Sequence, residues 1–203
     1  MKGKTLQETA YHEIKNKIIR GDFLESGFTS QNQLAAELGI SRTPIMTALQ
    51  RLQNEGFVKI ISNHGIQILG LNVHELEEMY ELRLAIETFI IPKIVTLVTA
   101  EQIEILEEFI QEQKKCIENN DQFQFLKLDS AFHLQLTEIY GNSLFIQTLS
   151  NIRERLFSNP YYFRRKDYQI SRYIKEHEQI IEAIKSKDIS QAIKTLETHI
   201  TNG

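Results

Sequence analysis

Only one stretch of this 203-residue chain leaves the helical rhythm. In "FVKIISNHGIQILG", residues 57–70, two β-branched runs flank "SNHG" and read as a hairpin. Elsewhere apolar residues recur at the three- and four-residue spacing of an α-helix. Leu6, Ala10, Ile14, Ile18 and Ile19 mark a helix over 5–20, stopped by Gly21-Asp22. Ser30, with Gln33 three positions on, is a capping-box start for a second helix, "QLAAEL", that ends at Gly39. A third covers 42–55 and closes at Gly56. After Leu71 the helical segments are 73–98, 100–119, 121–140, 143–158, 168–186 and 189–201, without repeat or low-complexity tract. The expected fold is mainly α: three helices and a β-hairpin over residues 1–70, then an all-α bundle of about six helices over 71–203.

Composition narrows the function classes. A hydrophobic share of 41% and a charged share of 25% are those of a globular protein, and a single cysteine, Cys116, precludes an internal disulfide. The start "MKGKTLQETAYHEIKNK" has no apolar core of a secretory signal. The most apolar run, "FIIPKIVTLV", holds Pro92 and Lys93 and is too short to span a bilayer, so no membrane partner and a cytoplasmic location are expected. The net charge of −4 hides an asymmetry: residues 1–70 carry eight Lys and Arg against six Asp and Glu, leaving fifteen against twenty-one for the rest. Attraction to phosphates has to come from a small patch in the first part.

The segment "GISRTPIMTALQRL", residues 39–52, places a proline where an apolar helical pattern begins. With Ser41 as N-cap, Arg42, Thr43 and Pro44 are the first three helical residues, whose N–H groups have no partner inside the helix, so proline costs little there. The preset first turn offers Arg42 and Thr43 at an exposed helix start. An arginine there gives two parallel hydrogen bonds to guanine, and a threonine reaches a thymine methyl or a phosphate. Alone, the segment also reads as an ordinary solvated helix start. The order of elements favours the first reading, because a helix-turn-helix followed by a β-wing is a specific arrangement with "GISRTP" at the turn into its second helix.

"LAAELGISRTPIMTALQRLQNEGFV" resembles the GntR-type winged helix-turn-helix of bacterial transcription regulators, over about residues 5–70. The resemblance implies that Ser41, Arg42 and Thr43 face base edges or phosphates. It also implies that Asn32 lies on the supporting helix near the DNA backbone and that His64 and Gly65 enter the minor groove from the wing tip. Many members carry an arginine and a glutamate where this chain has Met46 and Thr47, which points to a different operator; both side chains can meet thymine methyls. The usual Pro-Gly before the second helix is Ser26-Gly27, and the wing is less basic than is common.

In the second part, Asp129 and His133 of "LDSAFHLQL" stand four apart and project from one helix face one turn from each other, a good spacing for two metal ligands. His177 in "IKEHEQII" and His199 in "LETHI" come from two later helices. One carboxylate with three imidazoles suits zinc, nickel, manganese or iron. The same residues also read as solvated or capping side chains. Residues 75–201 resemble the all-helical FCD effector domain of the FadR branch of GntR regulators, through "ELRLAIE", "D-x-x-FH", "GN", "EH-x-x-I-x-x-AI" and a final "A-x-x-x-L-x-x-H", and the helix count is similar to the VanR-like subset. That resemblance implies a divalent transition metal on Asp129, His133, His177 and His199, and places Arg83 toward an effector. The residues leave Arg83 equally open as a surface pair with Glu87, Asn142 reads as a helix cap, and Tyr161, Tyr162, Arg164 and Arg165 are candidates for a pocket mouth.

The function expected is that of a non-enzymatic, homodimeric regulator on a palindromic double-stranded operator, controlled by a small organic or sugar acid at or near the metal. Two rivals come from other classes. A metal-dependent hydrolase would use open coordination positions to activate water, but lacks a convincing general base and leaves the wing unexplained. A protein-interaction module is disfavoured by Arg42 and Thr43.

Overall fold

The computed structural model describes residues 5–23, 25–62, 64–157 and 167–202. The first elements are α1 (Leu6–Arg20), β1 (Phe28–Thr29), α2 (Gln31–Leu38), α3 (Arg42–Asn54), β2 (Val58–Ile61) and β3 (Gly65–Ile68). Thr5 and Glu8 close a capping box at α1, and Gly21 ends the helix in the left-handed conformation. The apolar faces of α1, α2 and α3 bury Ala10, Ile14, Ile18, Leu34, Ile45, Leu49 and Leu52 against Phe57, Val58 and Ile66 of the sheet region.

The β-hairpin forms as expected, with Val58 opposite Ile68 and Ile60 opposite Ile66. A third strand, β1, was not expected from sequence. Two residues carry no readable period, yet Phe28 and Thr29 pair with Gln67 and Ile66, giving the antiparallel order β1-β3-β2. This strand explains Gly65: its φ is +95°, and a Cβ there would stand 2.8 Å from the Thr29 carbonyl oxygen.

Two expected caps differ in detail. Ser30 accepts from the Gln33 N–H, but the Gln33 side chain donates to Glu37 at 3.0 Å, so only half of the capping box forms at α2. Ser41 is the N-cap of α3 without a side-chain cap bond. Pro44 contributes to this: a cap hydroxyl accepts from the second or third helical N–H, and the third is a proline, which leaves only that of Thr43.

The remaining elements are α4 (Val73–Leu97), α5 (Ala100–Glu118), α6 (Gln122–Tyr140), α7 (Ser143–Phe157), α8 (Asp167–Lys185) and α9 (Ile189–Thr201). Asn72 with Glu75 and Thr99 with Gln102 form capping boxes, and Asp121 and Asp188 cap α6 and α9. The helix α4 packs on α9 and α6, α5 on α6 and α8, and α8 on α9. Ile90, Ile91, Ile94, Leu106, Phe125, Phe132, Ile180 and Leu196 are buried here. The chain divides into two compact units, Met1–Leu71 with the end of α7 from Glu154, and Asn72–Arg153 with α8 and α9. Among the described residues no helix is long and apolar enough to cross a membrane. Tyr161, Tyr162, Arg164 and Arg165 lie outside the described residues.

Candidate functional site

The four residues singled out as metal ligands meet inside the second unit. Asp129 and His133 project from α6, His177 from α8 and His199 from α9, and their ligand atoms all lie within 4.8 Å of one another. The apolar stripes of these helices turn the histidines inward: His133 and His177 have no exposed surface, and His199 is 3% exposed. The alternative of solvated histidines therefore does not hold, even for His177 in its charged local sequence.

Each imidazole is held from behind. The Nδ1 atoms of His133, His177 and His199 face Glu87 Oε2 at 2.5 Å, Gln113 Oε1 at 2.9 Å and Glu176 Oε2 at 2.9 Å. A neutral imidazole donates from one ring nitrogen only, so with Nδ1–H engaged the Nε2 lone pairs are bare. Those Nε2 atoms point at each other, His133 to His199 at 3.0 Å and His177 to His199 at 3.2 Å, while Asp129 Oδ1 stands 3.4 Å from His177 Nε2. Three lone pairs and a carboxylate oxygen repel unless a cation lies among them. Two nitrogens about 2.1 Å from one ion stand about 3.0 Å apart at a right angle and about 3.4 Å apart at the tetrahedral angle, so the spacing is that of a shared coordination sphere. The cluster can hold a metal ion.

The electrostatics agree. Burial pushes the His133 imidazole down to about 3, with the Arg153 guanidinium adding to the effect, and burial likewise pushes His177 well down. Both imidazoles are neutral near pH 7, the form in which they can act as ligands. Burial alone would raise the Asp129 carboxyl, but the neighbouring His133 and His177 rings and the Arg153 guanidinium outweigh it and hold Asp129 ionised. Glu87 is held well below the ordinary carboxylate value in the same way, its burial outweighed by His133, Arg83 and Arg153.

Arg83 pairs with Glu87 at 3.0 Å, but not at the surface: the residues are 4% and 2% exposed. The alternative reading of Arg83 as a surface pair is thus corrected: the pair with Glu87 forms, but buried and joined to the ligand cluster. Asn142 caps α7 as expected, its Oδ1 accepting from the Leu144 N–H at 3.0 Å. The supporting residues Glu87, Gln113, Arg153 and Glu176 were missed in the sequence. A signal existed for the first three, since each interrupts an apolar helical stripe: Glu87 among Ile90, Ile91 and Ile94, Gln113 after Leu106 and Ile110, and Arg153 between Leu149 and Leu156. Glu176 serves a histidine on another helix, which no local pattern reveals.

In the first unit, Ser41, Arg42, Thr43 and Thr47 are exposed along the start of α3, and Asn32 is exposed in the first turn of α2. Gln31 Nε2 donates to the Arg42 carbonyl at 2.9 Å, tying the two helix starts together. The exposed Thr47 side chain donates its Oγ1 hydroxyl back to the Thr43 carbonyl at 3.2 Å. Met46 is half-buried. His64 is exposed at the β2–β3 turn, whereas Gly65 opens β3 beside Thr29.

Residues 6–68 match the bacterial regulatory proteins of the gntR family, and residues 78–202 match the FCD domain. The gluconate operon transcriptional repressor of Bacillus licheniformis is 30% identical over 190 residues, covering 91% of this chain and 77% of that protein. An uncharacterized HTH-type transcriptional regulator of Bacillus subtilis strain 168, YdhC, is 24% identical over 193 residues, covering 95% of this chain and 86% of its own. Among solved structures, E. coli McbR/YncC shares the fold with a TM-score of 0.83 at 17% identity, over 98% of this chain and 95% of that one. The chain belongs to the GntR family of bacterial DNA-binding transcriptional regulators, with an FCD domain following its helix-turn-helix.

Proposed function

We propose that residues 1–70 bind a palindromic operator and that residues 71–203 dimerise and sense a small organic or sugar acid at a metal held by Asp129, His133, His177 and His199. The observation that carries this is the convergence of three imidazole nitrogens whose opposite ring atoms are each committed to an acceptor. A bound divalent ion of the zinc, nickel, manganese or iron type supplies Lewis acidity toward an oxygen ligand. Arg83, buried at Glu87, supplies a positive charge for the acid's carboxylate. Two relatives are named as repressors of a gluconate operon, which makes gluconate the first acid to test.

At the DNA, Arg42 reads a guanine edge, Thr43 and Thr47 meet thymine methyls or phosphate, and the Ser41 hydroxyl, which makes no cap bond, serves a phosphate. Asn32 and His64 flank them, and Gly65 holds the wing in shape. Dimerisation uses exposed apolar residues of α4, Leu82, Phe89 and Leu97, at 44%, 52% and 57% exposure. A regulator of this kind acts in the cytoplasm, where the DNA is.

The test is a fluorescence-anisotropy titration on duplexes tiling the DNA upstream of the gene, across a salt series, repeated with added zinc and gluconate. Tight, salt-sensitive binding to one tile, altered by zinc with gluconate, is expected. Equal binding to scrambled duplex rules out the operator reading; specific binding indifferent to metal and acid rules out the sensing reading.

A further inference from the structure

The helix α7 is shared by the two units: Arg153 belongs to the second and Glu154 to the first, although they are consecutive. In the second unit, Arg153 Nη1 reaches Asp129 Oδ2 at 3.3 Å and Nη2 reaches Glu87 Oε1 at 3.5 Å. Both are longer than the roughly 2.7–2.9 Å of a committed charge-assisted bond, so this guanidinium is divided between two carboxylates. One is a ligand of the candidate metal, and the other holds the His133 ring.

In the first unit, the neighbouring residues are bound at the far end of the recognition helix α3. Lys15, 6% exposed, has its Nζ 2.6 Å from Glu154 Oε2, 2.6 Å from the Tyr11 hydroxyl and 2.9 Å from Glu55 Oε2. Glu55 is the C-cap of α3 and also takes Arg51 Nε at 3.0 Å. Arg155 Nη1 donates to the carbonyl of Gly56, whose φ of +77° makes the bend out of α3, and the guanidinium carbon lies 5.3 Å from the Phe57 ring centroid. A buried ammonium is costly without its carboxylates, so Lys15 holds Glu154 and Glu55 together as a unit.

We infer that Arg153-Glu154-Arg155 is a relay by which metal occupancy at Asp129 changes the setting of the C-terminal end of α3. The inference rests on the metal-binding reading above. A divalent ion on Asp129 competes with Arg153 for the carboxylate and repels its guanidinium, which favours its alternative partner Glu87. Because α7 is continuous through 153–157, a change at Arg153 is carried by the helix backbone to Glu154 and Arg155, and from them to Lys15, Glu55 and Gly56.

The experiment uses the full chain, stripped with a chelator and reloaded with zinc alone, as wild type and as Glu154→Gln and Arg155→Ala. Operator affinity is measured with and without zinc, zinc affinity by chelator competition, and amide hydrogen exchange at Phe57 and Leu69, whose N–H groups bond Leu52 and Phe57 carbonyls. The expected result is zinc affinity within about twofold of wild type and a zinc-induced change in operator affinity reduced by about fivefold or more. A wild-type-sized zinc response in both variants overturns the relay and leaves the metal-sensing reading standing. Absence of a zinc response in wild-type operator binding removes that reading instead, and exchange then decides the relay. Zinc-dependent protection at Phe57 and Leu69 that the variants lose supports it, and exchange indifferent to zinc in wild type overturns it.

Discussion

Glu87 supports the ligand cluster from behind without being one of its four candidate ligands. Its carboxylate takes the His133 Nδ1–H and faces both Arg83 and Arg153 in a space with almost no solvent. Glu87→Gln keeps the shape but removes the charge that fixes the His133 tautomer. Zinc affinity is expected to fall by about 10- to 100-fold, as when other outer partners of ligating histidines are lost. Chelator competition measures it, and an affinity equal to wild type would show that the tautomer is set elsewhere. At Gly65, a methyl group meets the Thr29 carbonyl oxygen at 2.8 Å and the φ of +95° is unfavourable for any L residue. Gly65→Ala should therefore destabilise the first unit by about 1–3 kcal/mol, read from its denaturant midpoint.

Two serines at helix starts separate capping from recognition at the level of elements. Ser30 Oγ accepts from the Gln33 N–H at 3.1 Å, whereas Ser41 makes no such bond, and Pro44 at the third helical position has no N–H to offer it. Ser30→Ala should cost about 1 kcal/mol in stability, and Ser41→Ala less than about half of that. Operator affinity should respond in the opposite order, with Ser41→Ala the more damaging. Comparable losses of stability in both variants would mean that Ser41 caps α3 in solution. Arg42→Ala, at the exposed start of the same helix, should weaken specific operator binding by about 1–3 kcal/mol and relax preference at one base pair, measured by anisotropy on single-base variants of the bound tile.

For the molecule as a whole, ligand linkage and proton linkage can be measured separately. Zinc at about one hundred times its dissociation constant should stabilise the folded chain by about 2.7 kcal/mol, so chelation should lower the melting temperature and zinc restore it. In the metal-free protein, His133 is pushed to about 3 from an ordinary 6.5 by burial and by Arg153. Between these values the unfolded chain binds a proton that the folded chain refuses. Stability is thus full above about pH 6.5 and declines as the pH falls below it, by up to roughly 1.4 kcal/mol per unit for that group, with His177 adding in the same direction. A melting temperature flat from pH 7 to 5 would contradict buried neutral imidazoles.

The order of helices and the hairpin were legible because caps and apolar periods are local: Gly21, Ser30 and Gly39 act within a turn of themselves. The pairing of Asp129 with His133 was legible for the same reason, being one helical turn. What only the tertiary structure decided is long-range. The strand β1 exists because β3 is beside it, and Arg83 with Glu87 is buried because the bundle closes over that face of α4. The acceptors behind the three imidazoles come from α4, α5 and α8 and stand 46, 64 and 23 residues in sequence from the histidines that they hold. A chain's local energetics set where helices start and stop, but which lone pairs end up facing one another depends on packing between elements, and that is where the candidate metal centre is made.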